Sequence, residues 1–223
     1  MRSFKIFLLL LIFSSCQNTK ITNLHYCKAC LDKENGILVV INEPQFTFSE
    51  EEGLRELMRE IFRKEGFTRF SFIDELEYEL LANSIKDLND PAQLAKVHFN
   101  LNYQYLLKPT LKKVIDKGGI DIQDSEEANA LYPVYRPPLT VGAVVRFELI
   151  ETESGVRLGA IDVSTETSEK SYSESDGDVV SFNFSDVYGN ARTSFSRGSK
   201  YLISDCTCPK GKFVKWSKIW KHL

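Results

Sequence analysis

Three histidines, two methionines and two tryptophans are all that 223 residues contain of those types. The scarcity of histidine removes most general-base and metal chemistry at once. His25, His98 and His222 lie far apart in sequence, and none sits in a His-Glu-x-x-His pattern. The chain also lacks Gly-x-Gly-x-x-Gly, a Walker-type phosphate loop and the Gly-x-Ser-x-Gly nucleophile turn. Basic charge is not in excess: 28 Lys and Arg face 31 Asp and Glu, a net of −3. That balance argues against a general nucleic-acid binder, which needs a basic surface to displace counterions. Internal repeats are absent, and no apolar run approaches the ~20 residues of a membrane-spanning helix. An apolar share of 43% is nevertheless ample for a folded core.

The longest apolar run, Ile6 to Phe13, follows a short segment carrying Arg2 and Lys5. Eight residues are too few to span a bilayer but suit the h-region of a signal peptide, and Ser14-Ser15 supplies the small residues of a cleavage site. Cleavage there ends on a cysteine. Phe13-Ser14-Ser15-Cys16 resembles the lipobox of bacterial lipoproteins, in which the cysteine is acylated and becomes the new N-terminus. Residues 1–15 are therefore expected to be a signal peptide, and Cys16 the site of lipidation. Phe in the first lipobox position departs from the commoner Leu; the competing reading is an ordinary secreted chain with a chance cysteine. Acyl chains at about 0.8 kcal/mol per buried methylene would hold the chain to a membrane permanently.

With Cys16 committed to lipid, Cys27, Cys30, Cys206 and Cys208 remain, an even number in an exported chain, which favours disulfides. Cys-x-Cys closes a strained ring on itself, so Cys206 and Cys208 are expected to bond across to Cys27 and Cys30. The sharper alternative is a four-thiolate zinc site, since Cys27-x-x-Cys30 has ligand spacing. Haem attachment fails because Leu31 follows Cys30. A thioredoxin-like pair is disfavoured because the motif precedes the first expected strand. No metal and no cofactor are expected.

Residues 16–35 are polar and aperiodic, a lipidated tether. Gly36 then introduces Ile37 to Ile41, the unbroken apolar run of a strand buried on both faces. Ser49 with Glu52 has capping-box spacing, and Leu54, Leu57, Met58, Ile61 and Phe62 form one helical stripe that Gly66 closes. Phe67 to Ile73 alternates as a strand. Asp74 with Glu77 opens a second helix, and Asp90-Pro91 caps a third. From Tyr103 the period changes to two, giving a strand to Val114 that Lys117-Gly118-Gly119 breaks. Residues 116–138 are set down as a surface insertion. Val141 to Glu151 and Val156 to Thr167 read as a hairpin, and Val179 to Phe184 and Ala191 to Phe195 as short strands within a 169–223 extension. The expected fold is α/β: a mixed sheet of about five strands with packed helices over residues 36–168, plus an irregular C-terminal extension tied by disulfides.

This element order resembles the small periplasmic α/β domain shared by CsgG, LpoB and the N-terminal domain of TolB. The resemblance rests on the strand at Gly36 to Ile41, on Gly66-Phe67 after the first helix, and on Ile73-Asp74-Glu75-Leu76. It rests also on Asn-Tyr-x-Tyr-Leu-Leu at Asn102 to Leu107, and on the strand and turn from Leu149 to Gly155. Pro109, where the family usually has Gly, and the insertion depart from the pattern. The resemblance implies no catalytic residues. It implies a non-enzymatic lipoprotein on the periplasmic face of the outer membrane that binds or regulates another envelope protein, such as a peptidoglycan synthase. The alternative it offers is a CsgG-like secretion pore subunit, with hairpins emerging from the 120–138 and 169–197 segments.

Three local features complete the chemistry. A lone His98 on a helix reads as an interface or core residue, and Glu50-Glu51-Glu52 as acids complementing a helix N-terminus. At the C-terminus Phe213, Trp216 and Trp220 share a helical face amid five lysines, Lys210, Lys212, Lys215, Lys218 and Lys221. These three aromatics are the expected partner-binding residues. The same segment would also suit an anionic membrane surface or a dock on its own domain.

Overall fold

The computed structural model describes residues 17–27, 31–41, 43–130 and 135–206. Its main sheet has six strands in the order β1-β7-β6-β4-β2-β3. They are β1 (Gln17–His25), β2 (Gly36–Val39), β3 (Phe70–Phe72), β4 (Tyr103–Asp116), β6 (Thr140–Glu151) and β7 (Arg157–Ser168). The β2 strand runs parallel to β3 and β4; β4, β6, β7 and β1 pair antiparallel. A second, three-stranded antiparallel sheet is ordered β5-β9-β8: β5 (Gly119–Gln123), β9 (Val179–Asn183) and β8 (Lys170–Ser173).

Helices cover both faces of the main sheet. On one lie α1 (Phe48–Lys64) and α5 (Val187–Cys206). Leu54, Met58 and Phe62 of α1, and Ala191, Phe195 and Leu202 of α5, pack on Val39, Val145, Phe147 and Val163. On the other face α2 (Glu77–Ala82) and α3 (Pro91–Leu101) place Leu80, Leu94 and Val97 against Leu38, Tyr103 and Leu106. The β2 run is buried on both faces because each of its alternate sides meets a core.

Local chemistry fixes the ends of the helices. Thr47, not Ser49, caps α1: its hydroxyl accepts the Glu50 N–H, and the Glu50 carboxylate accepts the Thr47 N–H at 2.8 Å. The same Thr/Ser-x-x-Glu pattern fits two residues earlier than Ser49-Glu52. Gly66, at φ +84°, ends the helix in the left-handed region where a side chain would be strained. Asp90 caps α3 by accepting the Ala92 N–H at 2.9 Å, with Pro91 in the first turn.

Three expectations are corrected. Gln17 to His25 is not tether but β1, a nine-residue edge strand in register with β7 from Gln17↔Thr167 onward. Its Thr and Asn side chains hid it: Thr19 bonds Thr165 and Asn23 donates to the Tyr201 hydroxyl, polar contacts in place of apolar ones. Cys27 therefore follows a strand instead of preceding the first one. Ala191 to Phe195 is not a strand but the middle of the 20-residue α5. The buried stripe of α5 includes Asn190, Ser194, Gly198 and Ser199, so it carries little hydrophobic signal. Asn190 donates to the Val141 carbonyl and Ser194 to Thr165, so these two polar groups of the stripe are paired with β6 and β7. Finally, residues 119–123 of the supposed insertion form β5, joined by the four-residue helix α4 (Ser125–Ala128). No helix among the described residues is long and apolar enough to cross a membrane.

Candidate partner-binding and membrane-facing surfaces

Of the four thiols expected to pair, Cys27 and Cys206 are bonded, their Cα atoms 5.3 Å apart. The link fastens the end of α5 to the segment after β1, where the Leu31 N–H also donates to the Cys206 carbonyl. Cys30 and Cys208 lie outside the described residues, as do Cys16, Phe213, Trp216 and Trp220.

The acidic start of α1 is an ion-pair network, not a site. Arg55, a buried residue of α1, meets Glu51 at 3.1 Å, Glu52 at 3.2 Å and Asp74 at 2.6 Å. Arg59 meets Glu56 and Glu75 and covers the Phe72 ring at 5.2 Å. Together they clamp the turn after β3 onto α1. Nearby Glu43 is buried, and its carboxylate accepts the Leu111 N–H at 2.6 Å. Burial pushes the Glu43 carboxyl above the usual carboxylate range; the Leu111 hydrogen bond opposes this, and the Glu51 charge reinforces it. His98 sits on α3, 3.8 Å from Glu153 and edge-on to Phe99. Among the described residues no group of three or more His, Cys, Asp or Glu is placed to hold a metal ion.

The small sheet is built inside out. Register sets Ile120 opposite Phe182 and Lys170, and Ile122 opposite Val180 and Tyr172, so these residues share one face. That face is open: Ile120 is 60% exposed, Ile122 58% and Phe184 72%. Phe182 contacts the Tyr172 and Phe184 rings at 6.3 and 5.7 Å, making one aromatic-aliphatic surface. The opposite face carries Asp121, Ser171 and Ser181, and it is the polar face that is partly covered. Arg136 reaches it to pair with Asp121 at 2.6 Å and to donate to the Ile122 carbonyl. An exposed contiguous apolar patch of this kind marks an interaction surface. The sequence marks Val179 to Phe184 as a strand but not its partner, for which Ile120-x-Ile122 is the available signal.

A second exposed set lies at the other end. Tyr78 and Leu81 of α2 and Phe99 of α3 point away from the core. The two helices are joined across Asn100 and Asn83, whose side chains bond at 2.9 Å. These helices cover β2 and the start of β4, near Tyr103, whereas the small sheet branches from the far end of β4. From Tyr103 to Asp116 a strand at ~3.3 Å per residue spans about 40 Å, so the two surfaces are widely separated. Between them the uncovered face of β6 and β7 is polar, carrying the two-point ion pair of Arg146 with Asp162 at 2.7 and 2.8 Å.

No protein-family model matches the chain, and no curated protein matches it. Among solved structures it is similar to the PelC dodecamer from Paraburkholderia phytofirmans, at 13% identity over 87% of this chain and 99% of that one, with a TM-score of 0.45. It is similar also to the LpoB C-terminal domain from Salmonella enterica, at 11% identity over 61% and 87%, TM-score 0.40. Lipoprotein GNA1162 from Neisseria meningitidis is 12% identical over 60% and 83%, TM-score 0.37. None of these values is high enough to carry a function across.

Proposed function

We propose that this chain is a non-enzymatic bacterial lipoprotein, acylated on Cys16. Its α/β domain sits at the periplasmic face of the outer membrane and binds or regulates another envelope protein, a peptidoglycan synthase being the class that the sequence resemblance suggests. The observation that carries this reading is the polarity of the domain. Gln17, the residue after the lipobox cysteine, is already paired in β1 at one end of the long strands, with Thr167. The exposed aromatic residues of α2 and α3 lie toward the opposite end. An anchor at one end and an apolar, helical surface at the other suit a protein that presents a binding face to the periplasm. The basic aromatic tail, with Phe213, Trp216 and Trp220, is a second proposed element of partner capture.

Strand lengths favour this reading over a pore subunit. A barrel strand needs ~9–11 residues to cross a membrane, whereas β5, β8 and β9 have five, four and five. They also pair with one another inside the chain.

The test is photocrosslinking in cells from a probe at Tyr78 or Phe99. Capture of one periplasmic enzyme or scaffold from both positions, and not from a probe at Glu166 on the polar face, supports the reading. A detergent-stable closed ring that conducts ions in a planar bilayer would overturn it.

A further inference from the structure

The inside-out sheet lies next to the expected lipid. Cys16 is one Cα step, ~3.8 Å, from Gln17, and Gln17 opposes Thr167 in the sheet. The Thr167 carbonyl accepts a hydrogen bond from the Asn183 side chain at 2.7 Å, and Phe184 is the next residue. Lys170, opposite Phe182, follows Thr167 by three residues, a path of at most ~11 Å. A cleft of about 340 Å³ at this junction is lined by Thr167, Lys170, Phe182 and Phe184. The anchor point and the apolar face thus fall within about 15–20 Å of each other by chain geometry.

No slack separates them. Had residues 17–35 been a free tether, the domain would range tens of ångströms from the bilayer. With β1 paired from Gln17, an acylated Cys16 fixes this end of the domain at the headgroup layer, which is only ~5–8 Å deep on each side of the hydrocarbon. A surface within about 15–20 Å of the anchor is within reach of that layer, and here it is the face on which Ile120, Ile122, Tyr172 and Phe184 are exposed, with Val180 and Phe182 half-buried among them. An apolar face immersed at the acyl–headgroup boundary loses the water contact that otherwise makes it a liability.

We propose that the exposed face of the β5-β9-β8 sheet is a membrane-contact surface. It beds its Ile and Phe side chains into the lipid interface beside acylated Cys16, and so sets the orientation of the domain on the bilayer. The proposal rests on the anchoring reading above. Its occupant is lipid, chosen because β1 is paired from Gln17, one residue after the anchor, and the small sheet lies within about 15–20 Å of that point.

The experiment uses the full mature protein in vesicles of phosphatidylethanolamine and phosphatidylglycerol, 3:1. The vesicles are doped with a phospholipid bearing a diazirine near the glycerol end of its acyl chain. After irradiation, peptides spanning 119–123 and 179–184 should carry at least fivefold more label than those containing Tyr78 and Phe99, which are equally exposed but remote. The double variant Ile122→Glu with Phe184→Glu should keep its circular dichroism and thermal unfolding while labelling falls to the level of the remote peptides. Acylated protein whose sheet labels no more than Tyr78 and Phe99, or whose sheets crosslink copy to copy instead, overturns the proposal and leaves the anchor intact. An intact mass showing Cys16 without acyl chains overturns the anchor and this proposal together.

Discussion

Cys27 is bonded to Cys206, closing a loop between residues 179 apart in sequence. The bond ties the last turn of α5 to the segment that follows β1, at the end of β1 away from Gln17. In the loop-entropy account a loop of this size is worth about 5 kcal/mol, and measured values are commonly lower, roughly 2–5 kcal/mol. Cys206→Ser should therefore lower the urea midpoint substantially, and in dithiothreitol the variant and the wild type should share one midpoint. Non-reducing peptide mapping should recover Cys27 with Cys206 and, by the cross-pairing expected of Cys-x-Cys, Cys30 with Cys208. Stoichiometric zinc on free thiols would contradict both.

A Cβ at Gly198 would lie 2.2 Å from Cε2 of Phe147, so α5 rests on β6 with no room for a methyl group. Gly198→Ala should cost about 1–3 kcal/mol by overpacking, although alanine favours helix. Phe147→Leu in the same chain should recover part of that loss, because the two changes share one contact. Equilibrium unfolding of the two singles and the double measures the coupling; strict additivity would mean that the helix shifts freely.

The two packing modes explain what was legible in the sequence. The stripe from Leu54 to Phe62, the run Ile37 to Ile41 and the alternation from Tyr103 onward are large apolar side chains at strict periods, and the structure places each as expected. What escaped is what packs by smallness or hydrogen bonding. The α5 helix uses Asn190, Ser194 and Gly198 against the sheet, and β1 uses Thr19 and Asn23. The Ile120-x-Ile122 pair is too short to outweigh its polar surroundings until β9 is set beside it. Of the candidate residues, Cys27 and Cys206 are brought together; the others fall on parts of the chain outside the described residues.

Glu43 gives a pH dependence of definite sign. Burial raises its folded pKa above the unfolded value, so the folded state holds the proton more tightly. Its contribution is most favourable below the unfolded carboxylate pKa and is lost as pH rises through the raised folded value. Glu43→Gln keeps an oxygen for the Leu111 N–H and removes the ionisation. Relative to wild type, the variant should gain stability from pH 4 to pH 7.5, measured by urea unfolding at both. A constant difference between the two proteins would show that Glu43 does not titrate across this range.

The distal helices carry the functional prediction. Tyr78 and Phe99 are among the most exposed large apolar side chains among the described residues, and neither belongs to the buried core beneath α2 and α3. Tyr78→Ser with Phe99→Ser should thus change stability by no more than about 0.5 kcal/mol, the usual range for surface sites. If α2 and α3 bind a partner, the same double variant should lose in-cell capture by at least tenfold, the scale of one or two aromatic anchors at an interface. Trp216→Ala with Trp220→Ala tests the tail in the same assay. Loss of capture from the helix variant alone assigns the interface to α2 and α3, and loss from the tail variant alone moves it to the C-terminus. Loss from both makes the two surfaces parts of one interface. Undiminished capture from both would remove the proposed binding surfaces, while membrane retention, assayed separately with Cys16→Ser, would still report on the anchor.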